Sequence, residues 1–378
     1  MTLFPRWSVI VPTCRKEGFL DFLAAWDRLF QKHDVKLVVV CDTPRTDPEI
    51  AVTLRQKRYH TQALDWATLP EGVPRKTDMV RSAGIRWAWL LRTEFTLTLD
   101  DDVRPIEDPF TAYEAVFATG LPHSDYLNVG ALTTYGGPMR GFPYKDRALA
   151  KVGLQYGGWD GVLDYDAPTQ LQGVRDEEFF QRIVFPVPRG APFTGCIMNA
   201  CWRTELAPAM WQLPLVDGNY NRFGDIWAGL FAKRTLDHLG YVTAINGKAT
   251  VRHQRASDPV TNLEREAPGV RPNERLWNGL RAEGKDLIAT YRFVTDRAAD
   301  YFASTTSVDY ARRFTLARDA WLSLFTTHGM MPRRSTDGST SRKPSSSITC
   351  VPALSANLEP GKVVPPASSV PPVMTAGV

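Results

Sequence analysis

Three consecutive carboxylates, Asp100, Asp101 and Asp102, are the residues of this chain whose type and spacing point most directly to chemistry. Adjacent negative charges repel one another, so a structural role alone explains them poorly. They follow the apolar run Phe95–Leu99 (F-T-L-T-L) at once, which places them at the carboxyl end of a strand. A set of hard oxygen ligands there suits Mg²⁺ or Mn²⁺. Such an ion keeps waters and takes phosphate oxygens as its remaining ligands. Asp100 and Asp102 are the candidate metal ligands, with Asp101 beside them as a candidate contact to the phosphorylated ligand. The alternative is a solvated acidic turn that caps the next element.

Other residues join this set with less force. His253, in V-R-H-Q-R, could complete a metal shell through a neutral ring nitrogen, although alone it reads as a loop histidine. Lys76 and Arg81 sit at the start of a helical run, where basic side chains and a helix N-terminus together favour a diphosphate; the alternative is a solvated helix face. Asp42 follows the second strand and is a candidate for a base or ribose contact. Arg147 closes R-G-F-P-Y-K-D-R (140–147), and Asp164 and Asp166 lie in L-D-Y-D-A-P-T-Q-L. Asp225 opens the helix of R-F-G-D-I-W-A-G. Taken singly, these are a loop arginine, two turn aspartates and a helix cap.

The elements that must position these groups are readable in part. Trp7–Pro12 and Lys36–Cys41 are short apolar, β-branched runs and predict buried strands. Phe19–Phe30 has helical spacing of Phe19, Phe22, Leu23, Trp26 and Leu29–Phe30, and Asp78–Leu91 carries Met79, Ala83, Trp87 and Leu90 on one side. Alternating strands and helices predict an α/β fold with a mostly parallel sheet, which binds ligands beyond the carboxyl ends of its strands. Asp42 and Asp100–Asp102 fall at that edge. Tyr126–Pro192 is rich in Gly, Pro, Tyr and Asp with little periodicity, as binding loops are. Asp225–Leu239 predicts an amphipathic helix, and Glu274–Phe325 predicts two or three more. Beyond Met331 the chain is Ser, Pro, Thr and Gly, a composition expected to stay disordered.

Composition narrows the classes. The balance of 45 basic and 41 acidic residues, net +4, argues against nucleic acid, which needs a concentrated basic face. The five cysteines form no C-x-x-C pair and have apolar neighbours, so free thiols in a reducing compartment are expected. Residues 1–13 read as a first strand rather than a signal peptide. No apolar run approaches the roughly 20 residues that cross a bilayer, so a cytoplasmic protein without a membrane span is expected.

Several of these segments recur together. V-I-V-P-T (9–13), L-D-D-D (99–102), R-G-F-P (140–143), D-Y-D-A-P-T-Q-L (164–171), M-N (198–199), D-I-W-A-G (225–229), D-H-L-G (237–240) and H-Q-R-A-S-D-P (253–259) have the order and spacing of one family. The chain resembles the reversibly glycosylated polypeptides, or UDP-arabinopyranose mutases. The resemblance runs from about residue 6 to 270 and rests above all on the long D-Y-D-A-P-T-Q-L segment.

It implies a glycosyltransferase A-type fold, a Mn²⁺ or Mg²⁺ ion, and interconversion of pyranose and furanose forms of a nucleotide-bound sugar. By position, Asp100, Asp102 and His253 would hold the metal, and Asp42, Lys76, Arg81 and Asp101 would face the nucleotide. Arg147 falls on the arginine that becomes glycosylated in the family, with Asp225, Asp164 and Asp166 as partners in catalysis. Gly224 stands where the family has the first of two aspartates, and K-D-R-A-L stands where it has S-L-R-E-G, so the sugar is not fixed. The substrate is expected to be UDP-arabinose-like, or a GDP-hexose such as GDP-L-galactose if the chain is a bacterial member. The alternative is a nucleotide-sugar-dependent or self-glycosylating glycosyltransferase. The expected organisation is a catalytic domain over 1–270, a helical segment over 271–331 and a tail over 332–378. A homo-oligomer is compatible with the resemblance.

Overall fold

The structure is a computed structural model that describes residues 6–69, 77, 79–133, 135–162, 164–173, 178–213, 220, 222–255 and 257–326. Lys76 and the expected tail lie outside the described residues. In chain order the elements begin with β1 (Trp7–Thr13), α1 (Lys16–Lys32), β2 (Lys36–Cys41), α2 (Pro48–Arg55) and β3 (Thr61–Leu64). Next come α3 (Val80–Leu90), β4 (Phe95–Leu99), β5 (Val103–Pro105), α4 (Pro109–Thr119), β6 (Leu121–Pro122), β7 (Leu149–Ala150) and β8 (Val152–Gly161). The remainder is α5 (Ala167–Leu171), β9 (Val184–Pro186), β10 (Asn199–Arg203), α6 (Gly224–His238), β11 (Val242–His253), α7 (Pro259–Gly279), α8 (Leu287–Thr305) and α9 (Val308–Thr326).

The main sheet runs β3-β2-β1-β4-β10-β8-β11-β5, with β9 beside β11. It is parallel from β3 through β4, antiparallel on either side of β10, and parallel again between β8 and β11. Helices cover both faces. This is an α/β arrangement, as the sequence predicts, with a parallel half at β3 through β4 and antiparallel pairing around β10. Alternation along each strand builds two cores. Ile10, Val38 and Val40 face one core with α3, α6, α8 and α9; Val9, Val11, Leu37 and Val39 face the other with α1 and α4. On α1 the buried set is Phe19, Phe22, Leu23, Trp26 and Phe30, as the spacing predicts. The Trp26 indole also donates to the Val103 carbonyl at 3.0 Å and so fixes the turn that follows the three aspartates.

On α3 the most deeply buried side is not the one that carries Met79, Ala83, Trp87 and Leu90, although Ala83 and Trp87 still pack partly buried against the core. Val80, Arg81, Gly84, Ile85 and Ala88 are buried, whereas Leu90 is 40% exposed. A β-carbon at position 84 would press into Ile10 and Val40, so the glycine lets the helix lie close to β1 and β2. Small residues, not the largest ones, decide which side faces the sheet. Arg81, one turn before Gly84, is carried to the sheet with it.

Strand β8 lies inside the segment that the sequence leaves irregular, because V-G-L-Q-Y-G-G-W-D-G lacks a strand's usual composition. At Gly157 a β-carbon would meet the Asn199 amide and the Tyr113 hydroxyl. Buried Asn199 donates to the carbonyls of Gly158 (2.9 Å) and Ala249 (2.8 Å) and accepts from the Tyr113 hydroxyl at 2.8 Å. It thereby joins β10, β8, β11 and α4 at one point.

Helix α7 begins earlier than the sequence suggests, because Asp258 caps it by accepting from Thr261 N at 2.9 Å and Pro259 takes the first helical position. It runs across residue 270. Helices α8 and α9 share the core of α6, and the Trp321 indole donates to the Pro208 carbonyl at 2.8 Å. Among the described residues Cys14, Cys41, Cys196 and Cys201 are free thiols, and no helix is long and apolar enough to cross a membrane.

The Asn199 junction sets an order of stabilities. Tyr113→Phe should cost about 1 kcal/mol, and Asn199→Ala about 3 kcal/mol, because the latter strips buried partners on three elements. Urea unfolding followed by circular dichroism checks this; equal costs for the two variants would contradict it.

Candidate active site

The three aspartates leave β4 in three directions, and each meets its own arginine. Asp101 is 4% exposed. It accepts from the Thr13 hydroxyl at 2.7 Å and is paired tightly with Arg15. Both partners come from the end of β1, so Asp101 ties the ends of two parallel strands together. Asp100 pairs with the buried Arg81, whose Nη1 donates to the Thr98 hydroxyl at 3.2 Å. Asp102 takes a weaker pair: its Oδ2 lies 3.4 Å from Arg15 Nη2 and 3.3 Å from Arg255 Nε. Arg15 and Arg255 are absent from the residues singled out in the sequence. Arg15 directly follows the β1 run and Arg255 stands two residues past His253, so position at the sheet edge was the available signal.

His253 reaches this group because β11 pairs with β5, which sets it opposite Val103. Its Nδ1 donates to the Val162 carbonyl at 2.6 Å. In the neutral ring Nε2 then keeps its lone pair. That nitrogen lies 3.7 Å from Asp102 Oδ1, a buried oxygen with no hydrogen-bond partner among the described residues. Two acceptors thus face each other. Burial first, and then the charge of Asp100, holds the Asp102 carboxyl above the usual carboxylate range.

These atoms fit a divalent cation. A carboxylate oxygen and a bare imidazole nitrogen are suitable ligands, and waters and phosphate oxygens complete such shells. No group of three His, Cys, Asp or Glu side chains stands ready as a ligand set among the described residues. Of the expected trio, Asp102 and His253 face each other, while Asp100 is turned to Arg81.

Asp164 stands in the loop after β8 and Asp225 in the first turn of α6. Partly buried Cys196 feels the charge of both. Its thiol is pushed up by burial and then by the charges of Asp164, Asp225 and Asp100. The Tyr156 hydroxyl is raised likewise by burial and by Asp225. Asp225 is not the helix cap that the sequence allows. Phe223 holds that place, and Asp225 Oδ1 accepts from Ile226 N at 2.9 Å. Asp166 is the cap of α5: Thr169 N and Thr169 Oγ1 each donate to it at 3.0 Å. Asp42 sits at the end of β2, where its Oδ1 accepts from the Trp66 indole at 2.7 Å. Asp164 and Tyr165 also border a cavity of about 500 Å³ walled by Trp159, Phe179, Phe180 and Leu132.

The comparisons with known proteins bear on the family. The model of the reversibly glycosylated polypeptides matches residues 7–280. The chain belongs to that family. UDP-arabinopyranose mutase 3 of Arabidopsis thaliana is 28% identical over 277 residues, covering 70% of this chain and 74% of that protein. UDP-arabinopyranose mutase 1 of Oryza sativa subsp. japonica is 28% identical over 276 residues, with the same coverage. A structure of S. aureus TarS 1–349 in complex with UDP-GlcNAc covers 85% of this chain and 91% of that one, at 14% identity and a TM-score of 0.45. A likeness that loose carries no argument about activity.

Arg147 is the family position that the structure does not bring to the carboxylates. Its guanidinium lies 3.6 Å from the centroid of the Tyr144 ring, and Nη2 donates to the Phe142 carbonyl at 3.2 Å. Neighbouring Asp146 accepts from the Ser124 hydroxyl at 2.7 Å, so it does not serve Arg147 as a base. Ser124 in turn accepts Arg189 N, two residues past Val187, whose N–H donates to the Thr243 carbonyl at the start of β11. His253 ends the same strand. Thr243 pairs with Leu154 and His253 with Gly161, so seven residues of β8 at about 3.3 Å each separate the two levels by roughly 23 Å.

The unequal pairing of the aspartates predicts opposite responses to neutralisation. Asp101→Asn should destabilise by about 3 kcal/mol, since it breaks a buried ion pair. Asp102 is different in sign. Its folded-state pKa is raised, so its charge weakens the fold above that pKa and the penalty fades as pH falls through it. Asp102→Asn should then unfold at an equal or higher urea concentration than the parent at neutral pH in EDTA. A clear loss of stability in Asp102→Asn would contradict this.

Proposed function

We propose that this protein is a divalent-metal-dependent mutase that interconverts the pyranose and furanose forms of a nucleotide-bound sugar. The observation that carries the reading is the facing pair of acceptors, Asp102 Oδ1 and His253 Nε2. The family supports it, because its matched relatives are named UDP-arabinopyranose mutases. Free thiols among the described residues suit a reducing compartment such as the cytoplasm.

A cation held by Asp102 and His253 would supply positive charge where the diphosphate leaves. The chain's own groups do the rest. Arg81 and Arg15 keep Asp100 and Asp101 in place. The C1–oxygen bond to the diphosphate breaks, and its electron pair stays on the diphosphate. For contraction, the ring oxygen must then leave C1 and take a proton, while the O4 hydroxyl loses its proton and closes on C1. In this reading Asp164 and Asp225 exchange those two protons. The diphosphate, still bound, returns to C1 at high effective concentration. No step here is routed through Arg147, whose guanidinium stacks on the Tyr144 ring.

The base and sugar follow from the substrate the protein accepts, with UDP-arabinopyranose and a GDP-hexose such as GDP-L-galactose as the two to compare. A second reading rests on the apolar cavity beside Asp164: a transferase would seat an apolar acceptor there. Incubation with either nucleotide sugar and Mn²⁺, without acceptor, should yield the furanose nucleotide by chromatography and NMR. Asp164→Asn or Asp225→Asn should slow turnover by about a hundredfold or more. Turnover that appears only when an acceptor alcohol is added would favour the transferase instead.

A further inference from the structure

Arg255 differs from the other arginines of the acidic cluster in having freedom to leave. Arg15 is anchored by its tight pair with buried Asp101, and Arg81 is itself buried against Asp100 and Thr98. The Arg255 side chain is 61% exposed, and Nε stands 3.3 Å from Asp102 Oδ2. It stands two residues beyond His253, and both side chains reach Asp102. We propose that Arg255 is a displaceable cation. It neutralises Asp102 while that carboxylate has no metal, and turns to the substrate's diphosphate once a divalent ion occupies the carboxylate.

The argument is electrostatic and rests on the metal-and-diphosphate reading above. Asp102 is largely buried and needs a counter-charge. A divalent ion on Asp102 would repel a guanidinium held at its other oxygen. The guanidinium then needs an anion within reach, and a diphosphate drawn to the same ion offers oxygens that match its planar fork. Arg255 would thus hold the site ready without metal and grip the ligand with it.

The test measures binding rather than turnover. Mn²⁺ uptake is followed by electron paramagnetic resonance, and UDP and GDP binding with and without Mn²⁺ by calorimetry. In Arg255→Gln, Mn²⁺ alone should bind as tightly as in the parent or several-fold tighter, because a competitor has gone. Mn²⁺-dependent binding of the nucleoside diphosphate should weaken by about ten- to a hundredfold, the loss expected for a charge-assisted contact to an anion. Arg255→Lys should restore part of the loss, since it returns the charge but not the fork. Diphosphate binding within twofold of the parent, or a parallel loss of Mn²⁺ uptake, would overturn the displacement. A parent protein that takes up neither Mn²⁺ nor either nucleoside diphosphate would overturn the reading beneath it as well.

Discussion

Three carboxylates on consecutive residues can share one sheet edge only because three separate elements bring them arginines. Arg15 comes from the β1–α1 junction, Arg81 from α3 and Arg255 from the chain beyond β11. The pairings are unequal, and the inequality is what makes a site. Asp101 is fully committed to joining β1 and β4. Asp100 is held by an arginine that is itself buried. Asp102 alone keeps an unsatisfied oxygen, aimed at an imidazole nitrogen. Structural and functional demands are thus divided among neighbours that look identical in sequence.

Much of the fold was legible where apolar runs were pure. β1, β2, β4 and the buried side of α1 follow from alternation and from helical spacing, as does the placing of the aspartates at a strand's carboxyl end. The failures share one physical cause: backbone approach was decided by small residues. Gly84 set which side of α3 meets the sheet and so delivered Arg81, and Gly157 hid β8 inside a stretch that reads as loop. A pattern built on large apolar residues does not register a position whose value is the absence of a side chain.

The candidate site was legible as residue types and less so as partnerships. The triplet and His253 were read from the sequence and its family likeness, but which oxygen faces which nitrogen depends on β11 crossing to β5. Asp166 and Asp225 exchanged expected parts: the first is a cap and the second is not. Arg147 was grouped with them by family position, yet the antiparallel return through β9 and the level of Ser124 put it at the other end of β11. Strand order is a long-range property that spacing along the chain does not encode.

The hydrogen bond from His253 Nδ1 to the Val162 carbonyl has a mechanical side. Val162 lies two residues before Asp164, so one peptide group carries both the loop that bears Asp164 and the tether that aims the imidazole. A displacement of that loop would let the ring swivel and deprive Asp102 of its companion. Loop seating and the aim of the imidazole are therefore geared to each other through a single carbonyl.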